Sequence, residues 1–189
     1  MTISNTLRTL VTSSHGVGER QENDYYATEP KAVELLLEKE KFSHRVLEPS
    51  CGEGHMSKVL MKQNYNVSSF DLIDRGFGEV KDFFEIEKFN GDIITNPPYK
   101  MALDFVKHAL DVVPVGNKVA MFLKIQFLEG KVRSEFYKTN PPKRVYVASG
   151  RLNCAKNGEF EKYKSSAACY AWFVWRKGYA GKSEIDWIN

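Results

Sequence analysis

The sequence predicts an α/β domain with a mostly parallel sheet and helices on both faces. Short branched or apolar runs alternate with amphipathic segments over most of the 189 residues. Strand–helix–strand steps of this length favour right-handed crossovers, which place successive strands parallel in one sheet. The last two apolar runs have no helical segment between them. We therefore expect them to pair as a C-terminal antiparallel hairpin at the sheet edge.

The predicted elements follow one another along the chain in a regular order. Apolar residues spaced three and four apart predict helices over 29–42, 56–65, 101–113 and 131–139. Short runs rich in branched and aromatic residues predict strands at 45–50, 66–73, 92–95, 117–124, 143–149 and 168–177. Residues 1–23 are polar and aperiodic, which indicates a flexible N-terminal arm ahead of a single domain over 24–189.

Composition narrows the class of protein. Hydrophobic residues make up 42% and charged residues 27%, as in globular proteins, and no apolar run reaches the length of a membrane span. Cys51, Cys154 and Cys169 form no CxxC pair, and no signal-peptide core precedes them. These features predict a cytoplasmic protein with free thiols. The four histidines show no ligand spacing with the cysteines, so we expect no metal.

The distribution of charge is asymmetric, although the formal net charge is only +3. From residue 131 to residue 177 there are eleven Lys and Arg against three Asp and Glu, a surplus of eight. A basic surplus of this kind suits a polyanion such as nucleic acid, because phosphate neutralisation dominates nucleic-acid affinity. The alternative is a solvated basic face that binds nothing.

A glycine loop, "EPSCGEGH" from Glu48 to His55, follows the first predicted strand. Open α/β sheets bind ligands at the carboxyl ends of their strands, and Gly52 and Gly54 would let the backbone come close to one. Asp71 ends the next strand, where a carboxylate can hold two ribose hydroxyls. The third glycine of the dinucleotide fingerprint is absent, which disfavours NAD and FAD. The alternative is a plain strand-to-helix turn.

Asp82 and Phe83 lie in the loop predicted after the third strand. A carboxylate can accept a hydrogen bond from an adenine amino group, and an aromatic ring can pack on its face. The alternative for Phe83 is an ordinary place in the core.

The run "GDIITNPPYK" ends a strand abruptly at Asn96-Pro97-Pro98-Tyr99, because successive prolines cannot continue a ladder. The Asn96 side-chain oxygen and the Pro97 carbonyl can accept both hydrogens of an aromatic amine and free its lone pair for attack. The prolines fix both acceptors in advance. Tyr99 offers a ring on which a planar base can stack. No general base is needed, because the proton can leave after the nitrogen becomes cationic.

"NPPY" after a strand, downstream of "EPSCGEGHMS", resembles the S-adenosylmethionine-dependent amino-methyltransferases, most closely those that modify N6 of adenine in DNA or RNA. "DYYATEP", from Asp24, resembles the family's N-terminal cofactor motif, and the resemblance extends to Trp175. It implies a Rossmann-like class I methyltransferase fold with S-adenosylmethionine as cofactor. Cys51 does not stand in the Pro-Cys-Gln setting of cytosine-C5 enzymes, so we expect no covalent cysteine mechanism.

The resemblance also assigns roles to residues. Asn96, Pro97, Pro98 and Tyr99 would form the catalytic corner, with Tyr99 stacked on the target base. The residues implied at the cofactor are Tyr26, Thr28, Glu48, Pro49, Cys51, Gly52, Gly54, Asp71, Asp82, Phe83 and Asn96.

The basic last third of the chain predicts a nucleic-acid surface. The candidate phosphate contacts are Lys143, Arg144, Arg151, Lys156, Lys162 and Lys164, interleaved with aromatic residues. A base within a duplex would have to be flipped out to reach the corner. Little chain remains for a recognition region. Target recognition would therefore fall to the loop at 150–166 or to a partner chain, unless specificity is loose.

Several functions stay open at the level of sequence. The leading prediction is methyl transfer to N6 of adenine in DNA, with the same reaction on RNA as a close alternative. Methylation of a protein glutamine also fits an NPPY corner, but the basic, aromatic last third disfavours it. The alternative from a different class is a non-catalytic nucleic-acid-binding module, which the intact glycine loop and NPPY disfavour.

Overall fold

The computed structural model describes residues 25–156, 158–162 and 168–189. The predicted arm at 1–23 lies outside these residues, and so do Lys164 and the side chain of Lys156. The strands are β1 (Tyr26–Thr28), β2 (Arg45–Glu48), β3 (Asn66–Asp71), β4 (Glu79–Val80), β5 (Asp92–Thr95), β6 (Lys118–Lys124), β7 (Arg144–Ala148), β8 (Cys154–Lys156), β9 (Tyr170–Arg176) and β10 (Glu184–Ile188). The α-helices are α1 (Pro30–Lys39), α2 (His55–Lys62), α3 (Ala102–Val112) and α4 (Lys131–Thr139).

Eight strands form the main sheet in the order β10-β7-β9-β6-β5-β2-β3-β4. β9 runs antiparallel to both of its neighbours, β6 and β7, and the other adjacent pairs are parallel. The predicted mostly parallel α/β sheet is thus confirmed.

The predicted C-terminal hairpin needs a correction in its position. β7 and β9 do pair antiparallel, with Tyr146 opposite Trp172, but they do not form the sheet edge. β9 inserts between β6 and β7, and β10 forms the edge. The burial of each strand explains this order. Six of the seven β9 residues are buried, whereas four of the five β10 residues are exposed and suit an edge.

Helices cover both faces of the sheet because each central strand is apolar on both sides. Ile93 and Ile94 are adjacent in β5 and belong to different core clusters. The Ile94 cluster includes the apolar faces of α1 and α2, whereas the Ile93 cluster includes that of α3. In β9, Trp172 and Trp175 divide between the same two clusters, and each is at most 1% exposed. The core therefore lies in two layers with the sheet between them.

The reversal of strand order fixes where a ligand site can form. From β2 the chain proceeds outward in one direction through β3 and β4, and it then proceeds in the other direction from β5 to β6. Open α/β sheets bind ligands at such a switch point, outside the carboxyl ends of the strands. The glycine loop follows β2 and the NPPY corner follows β5, so both lie at the switch point.

A second sheet of two strands was not predicted. β1 pairs antiparallel with β8, and Thr28 lies opposite Cys154. Strands of three residues are too short to show a period, so the sequence carried no signal for them. Within the described ranges, no helix combines the length and apolar character needed to cross a membrane.

Candidate active site

The NPPY corner begins where β5 leaves the core. All four β5 residues are buried, and Pro97 is buried as well. Pro98 is exposed and extended, and a single 3₁₀ turn, Tyr99–Met101, then leads directly into α3. The corner is therefore held between a buried strand and a helix, which restricts its movement.

The orientation of the Asn96 amide is fixed by its neighbours. Its Nδ2 donates to the backbone carbonyl of Tyr26 at 3.0 Å and lies 3.8 Å from the Cys154 Sγ. Because a carbonyl can only accept, this contact determines which end of the amide carries the nitrogen. Among the described residues, Asn96 Oδ1 is buried and has no hydrogen-bond partner. An unsatisfied buried acceptor costs about 1–3 kcal/mol, so an N–H donor that reached it would be stabilised.

Tyr99 is partly buried beside this amide. Its hydroxyl shares a 2.8 Å hydrogen bond with the Tyr170 hydroxyl, and its ring centroid lies 5.9 Å from that of Tyr26. Burial raises the pKa of the Tyr99 phenol far above its usual range, so the phenol stays neutral. The Lys124 ammonium lies 4.8 Å from the centroid of the Tyr99 ring. One face of the predicted stacking ring therefore contacts a cation.

The glycine loop and the NPPY corner are joined directly by Ser50. Its hydroxyl shares a 2.7 Å hydrogen bond with that of Thr95 and donates to the Asn96 carbonyl at 3.1 Å. Sequence reasoning passed over Ser50, although it stands within the quoted loop. The contact holds the two halves of the candidate site in one position relative to each other.

Asp71 ends β3 with both carboxylate oxygens engaged by backbone amides. Oδ2 accepts from the Gly52 N–H at 2.8 Å, and Oδ1 accepts from the Ile73 N–H at 3.0 Å. Each oxygen of an ionised carboxylate can accept a further bond, so ribose hydroxyls could still donate to it. The fold therefore ties Asp71 to the glycine loop, and its contact with ribose hydroxyls stays a prediction.

Both glycines of the loop have left-handed φ values, +53° at Gly52 and +77° at Gly54. A Cβ at Gly52 would lie 2.0 Å from Cε2 of Tyr25, and one at Gly54 would lie 2.3 Å from Cδ1 of Phe77. We predicted a close approach of the backbone to a ligand, but here the closely approaching groups are two aromatic rings. The Tyr25 hydroxyl also accepts from the Glu53 N–H at 3.2 Å.

Glu48 is buried at the end of β2. It accepts a hydrogen bond from the Ser57 hydroxyl, which in turn bonds to that of Ser69 at 2.6 Å. Burial raises the pKa of Glu48 to about 8. Glu48 therefore ties β2 to α2 and β3 as a largely neutral acid. To make its predicted contact with the cofactor, Glu48 would have to bind it while it keeps its hydrogen bond to Ser57.

Pro49 and Cys51, the other predicted contacts in this loop, are also buried. The Cys51 Sγ donates to the Phe77 carbonyl at 3.4 Å, and burial raises the pKa of the Cys51 thiol to about 12. A neutral thiol is a weak nucleophile, so its environment gives no support to covalent chemistry.

Asp82 and Phe83 have different environments. Asp82 accepts from the Phe84 N–H at 2.9 Å and caps a 3₁₀ turn at a partly exposed position. Phe83 is only 2% exposed and packs against Phe105 and His108, at centroid distances of 5.0 and 4.7 Å. The prediction that the Phe83 ring packs on the cofactor is corrected, because the ring is part of the core.

The small sheet forms a wall of the site. Tyr26 and Thr28 lie in β1, where Thr28 is 2% exposed and the Tyr26 carbonyl holds Asn96. Cys154 begins β8, and burial raises the pKa of its thiol to about 11. Sequence reasoning missed the placement of Cys154, because the contact is created by pairing between residues far apart in the chain. In the described part of the chain, no group of His, Cys, Asp and Glu is arranged to hold a metal.

Two predicted phosphate contacts lie at the wrong edge of the sheet. Lys143 precedes β7 and Arg144 begins it, which places both at the amino edge, opposite the NPPY corner. Arg144 also pairs with the buried Glu40 at 3.1 Å and with Glu184 at 3.0 Å. The prediction that these two residues bind nucleic acid is corrected, because strand direction carries them away from the site.

Arg151 and Lys162 lie in the segments that follow β7 and β8. The Arg151 guanidinium is exposed and contacts the Cys169 Sγ at 3.3 Å. Lys162 pairs with Glu159 at 2.5 Å. Nearby, the rings of Phe160 and His55 meet edge to face at 5.3 Å, which brings this segment to the start of α2. The segment after β8 thus borders the glycine loop.

Comparison with solved structures places this arrangement in a known fold. A protein described as an RNA methyltransferase from Pyrococcus horikoshii superposes with a TM-score of 0.55 at 13% identity, over 78% of this chain and 80% of that one. An S-adenosylmethionine-dependent O-methyltransferase from Thermotoga maritima gives 0.53 at 13% identity, over 81% and 67%. The chain has the class I methyltransferase fold.

A third structure with this methyltransferase fold is larger. It is described as a modification subunit of a type I restriction enzyme from Vibrio vulnificus, and it superposes with a TM-score of 0.58 at 11% identity. The alignment covers 95% of this chain and 48% of that one, so the chain spans about half the length of the subunit. No family model matches the sequence, and no curated protein matches it either.

Proposed function

We propose that this protein transfers a methyl group from S-adenosylmethionine to the exocyclic N6 amine of adenine in DNA. The observation that carries the proposal is the Asn96 amide, whose buried Oδ1 lacks a partner while its Nδ2 is held by Tyr26. An N–H of a planar amine is one donor that would satisfy such an acceptor. The methyltransferase fold and the position of Asn96 at the switch point support the same reading.

Asn96 and Pro97 would act on the amine as acceptors. Each draws one amino hydrogen toward an oxygen, which withdraws the nitrogen lone pair from the ring and aims it at the methyl donor. The fixed amide lowers the cost of reaching this geometry, because the acceptors need no reorganisation. Tyr99, neutral and partly buried, would hold the base plane against its ring.

The glycine loop would hold the cofactor, together with Asp71 and the wall formed by β1. Asp71 has acceptor capacity left for ribose hydroxyls, and the partly exposed Asp82 is available to the adenine amino group. When bound, S-adenosylmethionine supplies an electrophilic methyl group. The Ser50 contacts to Thr95 and Asn96 would hold the methyl group and the target amine in a fixed position relative to each other.

Nucleic acid is the favoured substrate because the segments around the site are basic and aromatic. Arg151 follows β7, which ends at the same edge of the main sheet as the NPPY corner. Lys162 lies in the segment after β8. Lys156 and Lys164 remain proposed contacts on sequence grounds alone. The same reaction on RNA is the second candidate, since one of the solved neighbours is described as an RNA methyltransferase. A partner chain that recognises the target stays part of the proposal.

The deciding experiment incubates the protein with methyl-labelled S-adenosylmethionine and separate pools of DNA, RNA and protein. Digestion to nucleosides and mass analysis should find N6-methyladenine in DNA. Asn96→Ala should lower the rate by at least about 10²-fold, as for a lost transition-state acceptor, and the protein should still fold, with a loss of about 0.5–1.5 kcal/mol of unfolding free energy from the missing bond to Tyr26. Asn140→Ala, at the partly buried C-terminal end of α4 and remote from the corner, is the control.

Full activity of Asn96→Ala would overturn the mechanism. Label found only in RNA would show that RNA, rather than DNA, is the substrate. Label found only in protein would favour methylation of a protein glutamine. Absence of calorimetric heat with S-adenosylmethionine would favour a non-catalytic binding module.

A further inference from the structure

Lys124 is the last residue of β6, and the fold holds it over the NPPY corner. Its ammonium lies 4.8 Å from the centroid of the Tyr99 ring. In the antiparallel pairing of β6 with β9, Lys124 stands opposite Tyr170, whose hydroxyl bonds to that of Tyr99. Two strands therefore bring the cation to the ring on which the target base is proposed to stack.

Among the described residues, none neutralises the charge of Lys124. In the parts of the chain that the structure describes, its ammonium has no carboxylate, hydroxyl or carbonyl within hydrogen-bond distance, and its one ionic contact is the ring. Lys118 and Lys138, by contrast, pair with Glu40 and Glu135. Lys124 is a partly buried residue, and its ammonium, which has no anion among the described residues, can bind one supplied by a ligand.

We propose that Lys124 binds the backbone phosphate next to the target nucleotide. The inference rests on the proposed function and deepens it. A base that stacks on Tyr99 takes the ring face that the ammonium now covers. Lys124 must then swing aside on its four-carbon stem, which leaves the charge at the rim of the base, where a phosphate can bind it. The base thus replaces the ammonium on one face of the Tyr99 ring. The substrate, which is a polyanion, supplies the phosphate that the ammonium then binds.

The test measures binding of labelled, mixed-sequence single strands of roughly 12 nucleotides, within the usual range of single-strand sites. DNA and RNA versions are titrated by fluorescence anisotropy over a range of salt concentrations. Lys124→Met should weaken binding about 10-fold and reduce the slope of log K against log salt by about 0.7, as for one lost phosphate contact. Its affinity for S-adenosylmethionine, measured by calorimetry, should not change.

Lys143→Met is the matched control. The Lys143 ammonium lies 5.8 Å from the Tyr179 ring centroid, a contact of the same kind at the opposite edge of the sheet. This variant should keep the wild-type affinity and slope. Lys124→Arg should retain the slope, because the charge is kept. Replacement of the phosphate beside the target adenine by a neutral methylphosphonate should abolish the difference between wild type and Lys124→Met.

If the wild type binds the strands and Lys124→Met has the same salt slope, the Lys124 inference is overturned. The proposed methyl transfer is not affected by that result. Wild-type protein that binds neither strand would overturn it together with the nucleic-acid part of the proposed function. If Lys124→Met melts at a lower temperature, Lys124→Gln provides the neutral variant for the same comparison.

Discussion

The side-chain amide of Asn96 donates a 3.0 Å hydrogen bond to the backbone carbonyl of Tyr26. Tyr26 belongs to the small sheet formed by β1 and β8, whereas Asn96 follows β5 of the main sheet, so the bond joins the NPPY corner to the small sheet. Because the acceptor is a backbone carbonyl, the amide cannot turn over without losing the bond. The direction in which Asn96 Oδ1 points is therefore set by a strand that precedes it by 70 residues.

Replacement of Asp71 should weaken cofactor binding. Asp71→Ala removes the acceptor for the Gly52 and Ile73 amides and the proposed ribose acceptor. Charge-assisted hydrogen bonds contribute about 1.5–3 kcal/mol, so the Kd for S-adenosylmethionine should rise by about 10- to 100-fold in calorimetry. Asp74→Ala, which removes only an exposed contact to the Gly76 amide, is the control. Equal affinities in the two variants would refute the role of Asp71.

Two glycines with positive φ should differ in how they tolerate a side chain. Gly76→Ala should cost about 1–2 kcal/mol of unfolding free energy from its left-handed backbone alone, because a Cβ there has nothing within 4 Å. Gly52→Ala should cost about 1–3 kcal/mol more, since its Cβ would meet the Tyr25 ring at 2.0 Å. Urea denaturation measures both, and equal losses would argue against the close packing of Tyr25 in solution.

Glu48 should make stability depend on pH. Its folded pKa of about 8 lies above the ordinary value of 4.5, so the folded state holds the proton more tightly than the unfolded state does. This contribution is fully present below pH 4.5 and is lost as the pH rises toward 8. Between these values the wild type should lose up to about 1.4 kcal/mol per pH unit relative to Glu48→Gln.

Urea denaturation at several pH values tests this expectation. Glu38→Gln, an exposed substitution on α1, should follow the wild-type curve. Parallel curves for wild type and Glu48→Gln would show that Glu48 is charged in the folded protein.

Arg144 should act on stability rather than on nucleic-acid binding. Arg144→Met removes the ion pairs with Glu40 and Glu184, and Glu40 retains other donors, so we expect a loss of about 1–2 kcal/mol in unfolding free energy. Lys138→Met breaks only an exposed pair and should cost less than about 0.5 kcal/mol. Weaker oligonucleotide binding by folded Arg144→Met would contradict this assignment.

The main sheet could be predicted because its strands and helices have strong periods. The helix predicted at 131–139 matches α4, and the β5 prediction matches Asp92–Thr95. The order of the strands could not be predicted, since it depends on which strand edges remain unpaired after the helices pack. In β10, Ile185 and Trp187 alternate with Glu184 and Asp186, but this short run was not predicted as a strand, and the inward shift of β9 was therefore not predicted either.

Part of the candidate site was also accessible from sequence. Parallel strands end at one edge, which brings the glycine loop, Asp71 and Asn96 together once the order is known. Contacts between distant segments were not accessible: the hold of Tyr26 on Asn96 and the cation of Lys124 over Tyr99 both depend on pairing across the fold. The burial of Phe83 was not accessible either, because only the packing of the elements distinguishes an aromatic ring in the core from an exposed one.

The insertion of β9 between β6 and β7 has a consequence for biosynthesis. Until residues 170–176 leave the ribosome, the strands that will flank them expose unpaired backbone edges, and both core layers lack a tryptophan. Such edges can pair with other chains. The centre of the sheet is therefore complete only after β9 has been synthesised, and dependence on chaperones should be greatest before that point.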